Sequence, residues 1–249
     1  MSFEHATQEA GAMQLGDRHI PYRVKRSARR KTVTLTIDPD NGLVLYCPRR
    51  FSTARLHAVM KEKSRWILNK TREMEALQAR RVIRKWEPGA LLPFQGADYP
   101  LVRHINGRMF DIRVDQGELK LFIPEREWPN MAPEQIREQA ISGYRIAAER
   151  ELLPRLEFYQ HVLGLHPEKV RIRDQKKRWG SCSARGSINL NWRLILAPPA
   201  ISDYVIVHEL CHLKELNHSG RFWNLVAGAV PDHKSRRAWL REHGSLLFL

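Results

Sequence analysis

Apolar and polar residues alternate in three short segments near the amino terminus. Residues 20–25, 32–37 and 43–46 show this alternation or are rich in β-branched side chains, which is typical of half-buried strands. The turn sequence Asp38-Pro-Asp-Asn-Gly42 between the last two segments predicts a β-hairpin. Residues 1–17 show no periodicity, and we expect them to form a loose terminus.

A long basic helix is predicted after these strands. Ser52 has the chemistry of a helix N-cap, and apolar side chains recur at helical spacing after it. These apolar positions are Leu56, Val59, Met60, Ile67, Met74 and Leu77. The other faces of the helix are rich in Lys and Arg, which suits either a nucleic-acid contact or a solvated surface.

A second group of strands follows the break at Trp86-Glu-Pro-Gly89. The turn sequences Asn106-Gly107 and Gln116-Gly117 separate its members and are typical of a β-meander. The predicted strands are residues 99–105, 109–114 and 118–123. Charged residues and prolines at 124–133 end the group and indicate a domain boundary.

Helices dominate the rest of the chain. Pro133 begins a long helical pattern, which Pro154 is expected to kink or divide. Three short strands, at residues 170–173, 178–183 and 187–191, precede a further helix. We therefore predict an α+β protein with a β-rich amino-terminal domain and basic helix over residues 18–128. A second domain is predicted over residues 129–249.

The composition indicates a reducing compartment. The cysteines, Cys47, Cys182 and Cys211, are odd in number and lack the spacing of a disulfide framework. The first 20 residues do not resemble a secretory segment, and no run approaches the length of a membrane span. We expect a soluble cytoplasmic protein without a membrane partner. The oligomeric state cannot be predicted from these features.

The charge is strongly basic and unevenly distributed. The net charge is +15. Residues 1–85 contain 19 Lys and Arg against 8 Asp and Glu, a net +11, whereas residues 86–249 contain 23 against 19, a net +4. A basic surface attracts anionic partners such as nucleotides or nucleic acid, although a solvated surface without a partner is equally consistent with it.

The chemistry of the chain is concentrated in a His-Glu-x-x-His motif. His208 and His212 are four residues apart on the predicted helix, so both imidazoles project from one face and can share a metal ion. Glu209 is displaced by one residue around the helix, where its carboxylate can reach a water without binding the ion. His218 is the expected third ligand, with Glu215 and Glu242 as alternatives. Three protein ligands and one open position describe a catalytic zinc site.

The chain resembles the YgjP-like metal-dependent hydrolases, a zincin-like family distantly similar to SprT-type peptidases. The resemblance rests on HELCHLKELNHSGRFW from residue 208, Arg178-Trp179-Gly180-Ser181-Cys182, and Asn191-Trp192-Arg193-Leu194. Arg29-Arg30-Lys31, Asp40-Asn41-Gly42 and Lys63-Ser-Arg-Trp66-Ile67 are also similar. The resemblance implies a carboxy-terminal zincin-like metallopeptidase domain whose active-site helix carries the motif. It also implies zinc bound by His208, His212 and His218, with Glu209 as the catalytic carboxylate.

Five further residues are candidates for substrate binding. Arg178, Trp179, Gly180 and Ser181 lie on a predicted strand whose glycine would let a substrate backbone approach, or would simply form a bulge beside a core tryptophan. His233 follows Pro231-Asp232, where the family often has Tyr, so its role stays open. With Arg178 and Tyr204, His233 is a candidate for stabilising an oxyanion.

Zinc-dependent hydrolysis of peptide bonds is the function that these features favour. A nucleoside triphosphate pyrophosphatase or another phosphohydrolase is the alternative, with Arg178, Arg185 and Arg193 as candidate phosphate ligands. A Gly-rich phosphate loop is absent from the sequence, which argues against it. A basic nucleic-acid-associated protein with a metal site is the third hypothesis, but such a site would normally include cysteine and would not use Glu209.

Overall fold

The computed structural model describes residues 8–38, 41–79, 84–105, 110–125, 131–175 and 177–249. The chain divides into two compact units, Met1–Arg81 and Val82–Leu249, each with its own apolar core. The described residues form six α-helices and three β-sheets, which confirms the mixed α and β class. No helix within the described residues is both long enough and apolar enough to cross a membrane.

The amino-terminal unit is a four-stranded sheet followed by two helices. The strands are β1 (Gln8–Leu15), β2 (Arg18–Ser27), β3 (Thr34–Asp38) and β4 (Gly42–Pro48), in the spatial order β1-β2-β4-β3. The pairing of β2 with β4 is parallel, and the other pairs are antiparallel. Alternate strand residues, such as Val24 and Leu45, pack with Leu56, Met60 and Ile67 of the helices in one core.

The helices of this unit differ from the prediction of one long basic helix. They are α1 (Thr53–Glu62) and α2 (Ser64–Ala79), and the break falls at Lys63, where φ is −94° and ψ is 13°. No glycine or proline marks this break in the sequence. Ser52 caps α1 as predicted, because its side chain accepts a hydrogen bond from the Arg55 amide at 3.3 Å.

The first described residues also differ from the expected loose terminus. Residues 8–15 form β1, whose backbone pairs with β2 along its whole length. This edge strand is built mainly of small and polar residues, so it lacks the apolar alternation that identifies a strand in a sequence. Residues 1–7 of the predicted terminus lie outside the described residues.

The carboxy-terminal unit begins with a second four-stranded sheet. Its strands are β5 (Leu91–Phe94), β6 (Ala97–Ile105), β7 (Asp111–Asp115) and β8 (Glu118–Ile123), in the order β5-β6-β8-β7. The predicted β-meander is therefore wrong, because β6 pairs in parallel with β8 and not with its sequence neighbour β7. This pairing places Leu101 opposite Leu119, and both are fully buried.

A long helix, α3 (Pro133–Leu163), packs against this sheet. It begins at Pro133 as predicted and ends at Gly164, whose φ of 63° suits a glycine at a helix C-cap. Pro154 does not divide the helix. The helix has 31 residues and continues on both sides of this proline. Tyr144 of α3 donates a hydrogen bond to the Pro93 carbonyl at 2.8 Å, which joins the helix to β5.

The rest of the unit is a three-stranded sheet and three short helices. The strands are β9 (Lys169–Arg173), β10 (Gly180–Cys182) and β11 (Ser187–Asn191), in the order β10-β11-β9. A 3-10 helix, Trp192–Leu196, leads into α4 (Pro199–Cys211). The last elements are α5 (Gly220–Ala229), α6 (His233–His243) and a 3-10 helix, Gly244–Leu247.

The β5–β6 turn is hydrogen-bonded to the end of the 3-10 helix that precedes α4. The amides of Gln95 and Gly96 donate to the carbonyls of Ile195 and Leu196 at 2.7 and 3.0 Å. A side chain at Gly96 would meet the Pro198 backbone at 2.8 Å, so only glycine permits this approach. The second sheet therefore belongs to the same compact unit as α4, whereas the sequence analysis placed it in the domain ending at residue 128.

Candidate metal centre

Helix α4, which carries the motif, is almost completely buried. Its residues from Ile201 to Leu210 are buried except His208, which is half-buried. Asp203, near the start of α4, is buried. It accepts two hydrogen bonds from Arg155 of α3, both at 2.7 Å. This bidentate ion pair ties α4 to the long helix and holds the motif in place.

His208 and His212 remain on one side of the chain although α4 ends at Cys211. His212 caps the helix with φ −67° and ψ −17°, a helical conformation, and its ring centroid lies 4.9 Å from that of His208. The chain then turns through two amides, of Lys214 and Glu215, that donate to the Cys211 carbonyl. No glycine is needed for this turn.

The turn brings His218 back to the first histidine of the motif. Ser219 caps α5 by accepting a hydrogen bond from the Phe222 amide at 3.4 Å, which fixes the start of that helix. The Nε2 atoms of His218 and His208 are 3.1 Å apart. Ligand atoms of His208, His212 and His218 all lie within 4.8 Å of one another. Among the described residues, neither Glu215 nor Glu242 joins this group.

The three imidazoles favour the neutral state, in which a ring nitrogen can bind a cation. The Nδ1–H of His212 donates to the Glu215 carbonyl at 3.0 Å, which leaves its Nε2 lone pair free. Burial, with the neighbouring His212, His218 and Arg237, lowers the pKa of His208 to about 3. Burial also lowers the pKa of His218. Neutral imidazoles with converging lone pairs are the donor set of a divalent metal, so these three residues fit such an ion.

Glu209 is on a different side of α4 from the histidines and faces β10. It is 6% exposed, and a Cβ built on Gly180 would lie 2.6 Å from both its Cγ and its Oε1. The absence of a side chain at Gly180 is therefore what admits the carboxylate. Burial raises the pKa of Glu209 to about 7, against the opposing charge of Arg178.

Aromatic rings that the sequence analysis did not assign to the site surround the histidines. Phe222 stacks on His212 with centroids 4.5 Å apart, and Trp223 stacks on His218 at 5.7 Å. The guanidinium of Arg237 lies 5.1 Å from the centre of the Trp223 ring. Arg237 follows His233 by four residues on α6, so the helical spacing was a usable signal for this cation.

The predicted substrate-binding residues have different surroundings. His233 is buried, stacks on Trp223 at 5.5 Å, and donates from Nδ1 to the Val230 carbonyl at 3.2 Å. Trp179 packs on Phe248 with centroids 5.9 Å apart, and a side chain at Gly244 would meet its ring at 3.0 Å. Trp179 thus has the contacts of a packing residue.

Arg178 and Ser181 lie on either side of Trp179 and Gly180. Arg178 is exposed, and its carbonyl accepts a hydrogen bond from Asn191 Nδ2 at 2.8 Å. The Ser181 hydroxyl accepts from Asn189 Nδ2 at 3.3 Å. These bonds hold the Arg178–Ser181 segment against β11, while the Arg178 guanidinium remains close enough to influence Glu209.

Comparisons with known proteins identify the family of the chain. No curated protein matches the chain. Among solved structures, the chain is similar to the metallopeptidase zymogen abylysin of Pyrococcus abyssi, with 28% identity and a TM-score of 0.33. That match covers 36% of this chain and 93% of the other. The model of the YgjP-like metallopeptidase domain matches residues 31–243. The chain therefore belongs to the YgjP-like metallopeptidase family, and this membership implies a divalent metal and a hydrolase.

Proposed function

We propose that the protein is a zinc-dependent peptidase in which His208, His212 and His218 hold the ion. The observation that carries this proposal is the convergence of three imidazoles beside a buried carboxylate that is not one of them. Three neutral nitrogen ligands leave one coordination position for water or substrate, as in catalytic zinc sites. When bound there, zinc supplies Lewis acidity, which makes a water acidic enough to lose a proton near neutral pH.

Glu209 is the proposed general base. It follows His208 directly on α4 and is not one of the three converging residues, so we assign it to the water and not to the ion. It would accept a proton from the attacking water and return it to the nitrogen of the leaving amine. The close contact with Gly180 limits where the carboxylate can move, which favours a fixed geometry for both transfers.

Strand β10 is the proposed binding site for the peptide backbone. It is an edge strand in the order β10-β11-β9, and its first residue, Gly180, touches Glu209. An extended peptide that adds to this edge would therefore place a carbonyl near the carboxylate. One of the two roles that the sequence left open for Gly180 was to give space to a substrate backbone, but the Glu209 side chain occupies the space beside its Cα. The peptide must approach along the free edge of the strand.

Arg237 and Arg178 are the proposed sources of positive charge for the reaction. Both are exposed, and the charge of Arg237 contributes to lowering the pKa of His208 and of His218. Within the described residues, Arg237 forms no ion pair with a carboxylate and contacts the Trp223 ring. A cation in this position can stabilise the oxyanion or an anionic group of the substrate.

Nucleotide hydrolysis remains the second candidate function because Arg178 and Arg237 could also bind the phosphates of a nucleotide. Arg193, a third cation considered for that role, is already engaged. It donates to Asp174 at 2.5 Å and lies 4.5 and 4.8 Å from the rings of Trp192 and Phe248. Because Arg193 already contacts Asp174 and two aromatic rings, fewer cations are available to bind a triphosphate than the sequence predicted.

A cytoplasmic location is part of the proposal. Cys47, Cys182 and Cys211 are all free thiols, and two of them are buried. Free thiols are typical of proteins in a reducing compartment.

Turnover of unbiased substrates tests the proposed function. The purified protein would be incubated with a peptide library and a nucleoside triphosphate mixture, after chelation and after zinc is restored. We expect internal peptide bonds to be cleaved only when zinc is present. Zinc-dependent release of pyrophosphate or phosphate, without any peptide cleavage, would replace the peptidase by the nucleotide hydrolase.

A further inference from the structure

We propose that the amino-terminal unit binds single-stranded nucleic acid on the face of its sheet that points away from α1 and α2. Strand alternation defines this outer sheet face, since Tyr22, Val24 and Leu45 point into the core. The residues between them point outward. By strand register the outer sheet face comprises Ala10, Ala12, Arg23, Lys25, Thr34, Thr36, Val44 and Tyr46, of which Val44 is buried and Tyr46 is half-buried.

Tyr46 lies near the middle of the outer sheet face with a cation on each side. In the strand register, Lys25 and Thr34 are its direct neighbours on β2 and β3. The Lys25 ammonium is 5.9 Å from the ring centre, and the Arg30 guanidinium is 4.8 Å from it. Arg30 is held there by a hydrogen bond to the Thr34 hydroxyl at 3.1 Å. Nucleic-acid bases stack on both aromatic rings and guanidinium planes, so this pair forms a stacking platform.

The charge around the platform complements a phosphate backbone. Arg23 lies on the same face, and Arg29 and Lys31 are exposed in the loop beside it. Immediately around Tyr46, the described side chains of the outer sheet face include cations and no carboxylate. By the same alternation, Asp38, the last residue of β3, falls in register with Thr34 and Thr36 at one end of the face, opposite Gly42.

The nearby described carboxylates are already paired on the other side of the unit. Glu9 is opposite Val24 in the register, which places it on the helix-facing side of the sheet, and it accepts a hydrogen bond from Arg26 at 2.9 Å. Glu75 of α2 accepts from Arg18 at 2.6 and 2.9 Å. The positive charge of the outer sheet face therefore has no acidic counterpart from these residues and can serve an external anion.

The shape and chemistry of the face favour a single strand over other polyanions. Ala10 and Ala12 of β1 and the two threonines of β3 are small, so these positions of the two outer strands add no bulky side chain to the face. Bases in a duplex are stacked on one another and cannot stack on Tyr46, whereas those of a single strand can. An acidic peptide would satisfy the cations but would make no use of the aromatic platform.

Binding of fluorescent oligonucleotides to the full-length protein tests the proposal. Anisotropy would be measured at two salt concentrations with a mixed-sequence single strand and the duplex of the same sequence. We expect the single strand to bind at least tenfold more tightly, with an affinity that falls as salt rises. Tyr46→Leu keeps an apolar side chain but removes stacking, and should weaken binding by about tenfold.

A matched pair of charge variants makes the test specific to this face. Lys25→Gln with Arg30→Gln removes two positive charges from the face and should reduce the salt slope by up to about 1.4, since each phosphate contact contributes about 0.7. Lys61→Gln with Arg65→Gln removes the same charge from exposed positions on α1 and α2 and should have little effect. Circular dichroism melting would establish that every variant is folded, and zinc content should be unchanged.

Three results would overturn the proposal. The first is an equal loss of affinity in both pairs of charge variants, which would assign binding to general charge. The second is binding of the duplex as tight as that of the single strand. The third is competition by polyglutamate that is as effective as competition by unlabelled single strand, which would favour an acidic protein partner.

Discussion

The carboxylate of Glu209 lies against the backbone of Gly180, and the two residues come from different elements, α4 and β10. A Cβ at position 180 would be 2.6 Å from Glu209 Oε1 and 2.8 Å from its Cδ. These distances are far below van der Waals contact. The glycine of the Arg178–Cys182 motif is therefore explained by the carboxylate of the His-Glu-x-x-His motif, which connects two sequence features 29 positions apart.

Gly180→Ala should greatly reduce turnover while leaving the metal bound. The new methyl group would displace the Glu209 carboxylate, and we expect activity to fall by about 100-fold, the effect of losing a general base. Kinetic assays together with zinc analysis measure both quantities. Gly228→Ala, on a helical glycine with open space around it, is the control and should retain activity. Full activity of Gly180→Ala would show that Glu209 can move without cost.

His218→Ala should weaken zinc binding by more than 100-fold. The variant removes one of three proposed ligands, whereas losses of 10–100-fold are typical when only a partner of a ligand is removed. Competition with a chelator of known affinity measures the change. His161→Ala, which removes an exposed imidazole from α3, should bind zinc like the unmodified protein. Unchanged affinity in His218→Ala would mean that another residue supplies the third ligand.

Arg237→Gln should lower kcat/KM by about tenfold or more without changing the zinc content. The variant keeps a side chain that can contact Trp223 but removes the charge proposed to stabilise developing negative charge. Arg237→Lys restores the charge and should recover part of the loss. Steady-state kinetics with a neutral peptide substrate measure kcat/KM for each variant. Equal activity of the Gln variant and the unmodified protein would remove Arg237 from the mechanism.

Asp203→Asn should destabilise the carboxy-terminal unit by about 1–3 kcal/mol, because it weakens two charge-assisted hydrogen bonds between α3 and α4. The cost is expected below that of a fully buried pair, since the Arg155 side chain is 38% exposed. Urea unfolding measures the change. Asp232→Asn, in the pair of Arg236 with a solvent-exposed carboxylate, should cost clearly less. Equal costs for the two variants would contradict the role assigned to Asp203.

The sequence predicted features that depend on local pattern. Periodicity located most of the strands and the start of α3 at Pro133, and the spacing of His208, His212 and His218 anticipated their convergence. Each of these features depends on residues close together in the chain, where strand and helix geometry alone determine which side chains meet. The role of His218 as a ligand stays a prediction, because convergence alone does not identify the ion.

Features that depend on distant residues were not predicted. The parallel pairing of β6 with β8 and the ion pair of Asp203 with Arg155 join segments whose contact has no local signature. The contact of Gly180 with Glu209 was not predicted for the same reason, because the two residues lie on different elements. The edge strand β1 was missed because its small and polar residues lack apolar alternation.

The most direct test of the proposed mechanism is Glu209→Gln, with zinc content and peptide turnover measured on the same preparation. Gln is nearly isosteric with Glu and fits beside Gly180, but it cannot accept a proton from water. We predict that the variant keeps one zinc per chain and loses turnover by at least about 100-fold. Near-normal turnover with zinc bound, or loss of the zinc itself, would contradict the assignment of Glu209 as a base that does not bind the metal.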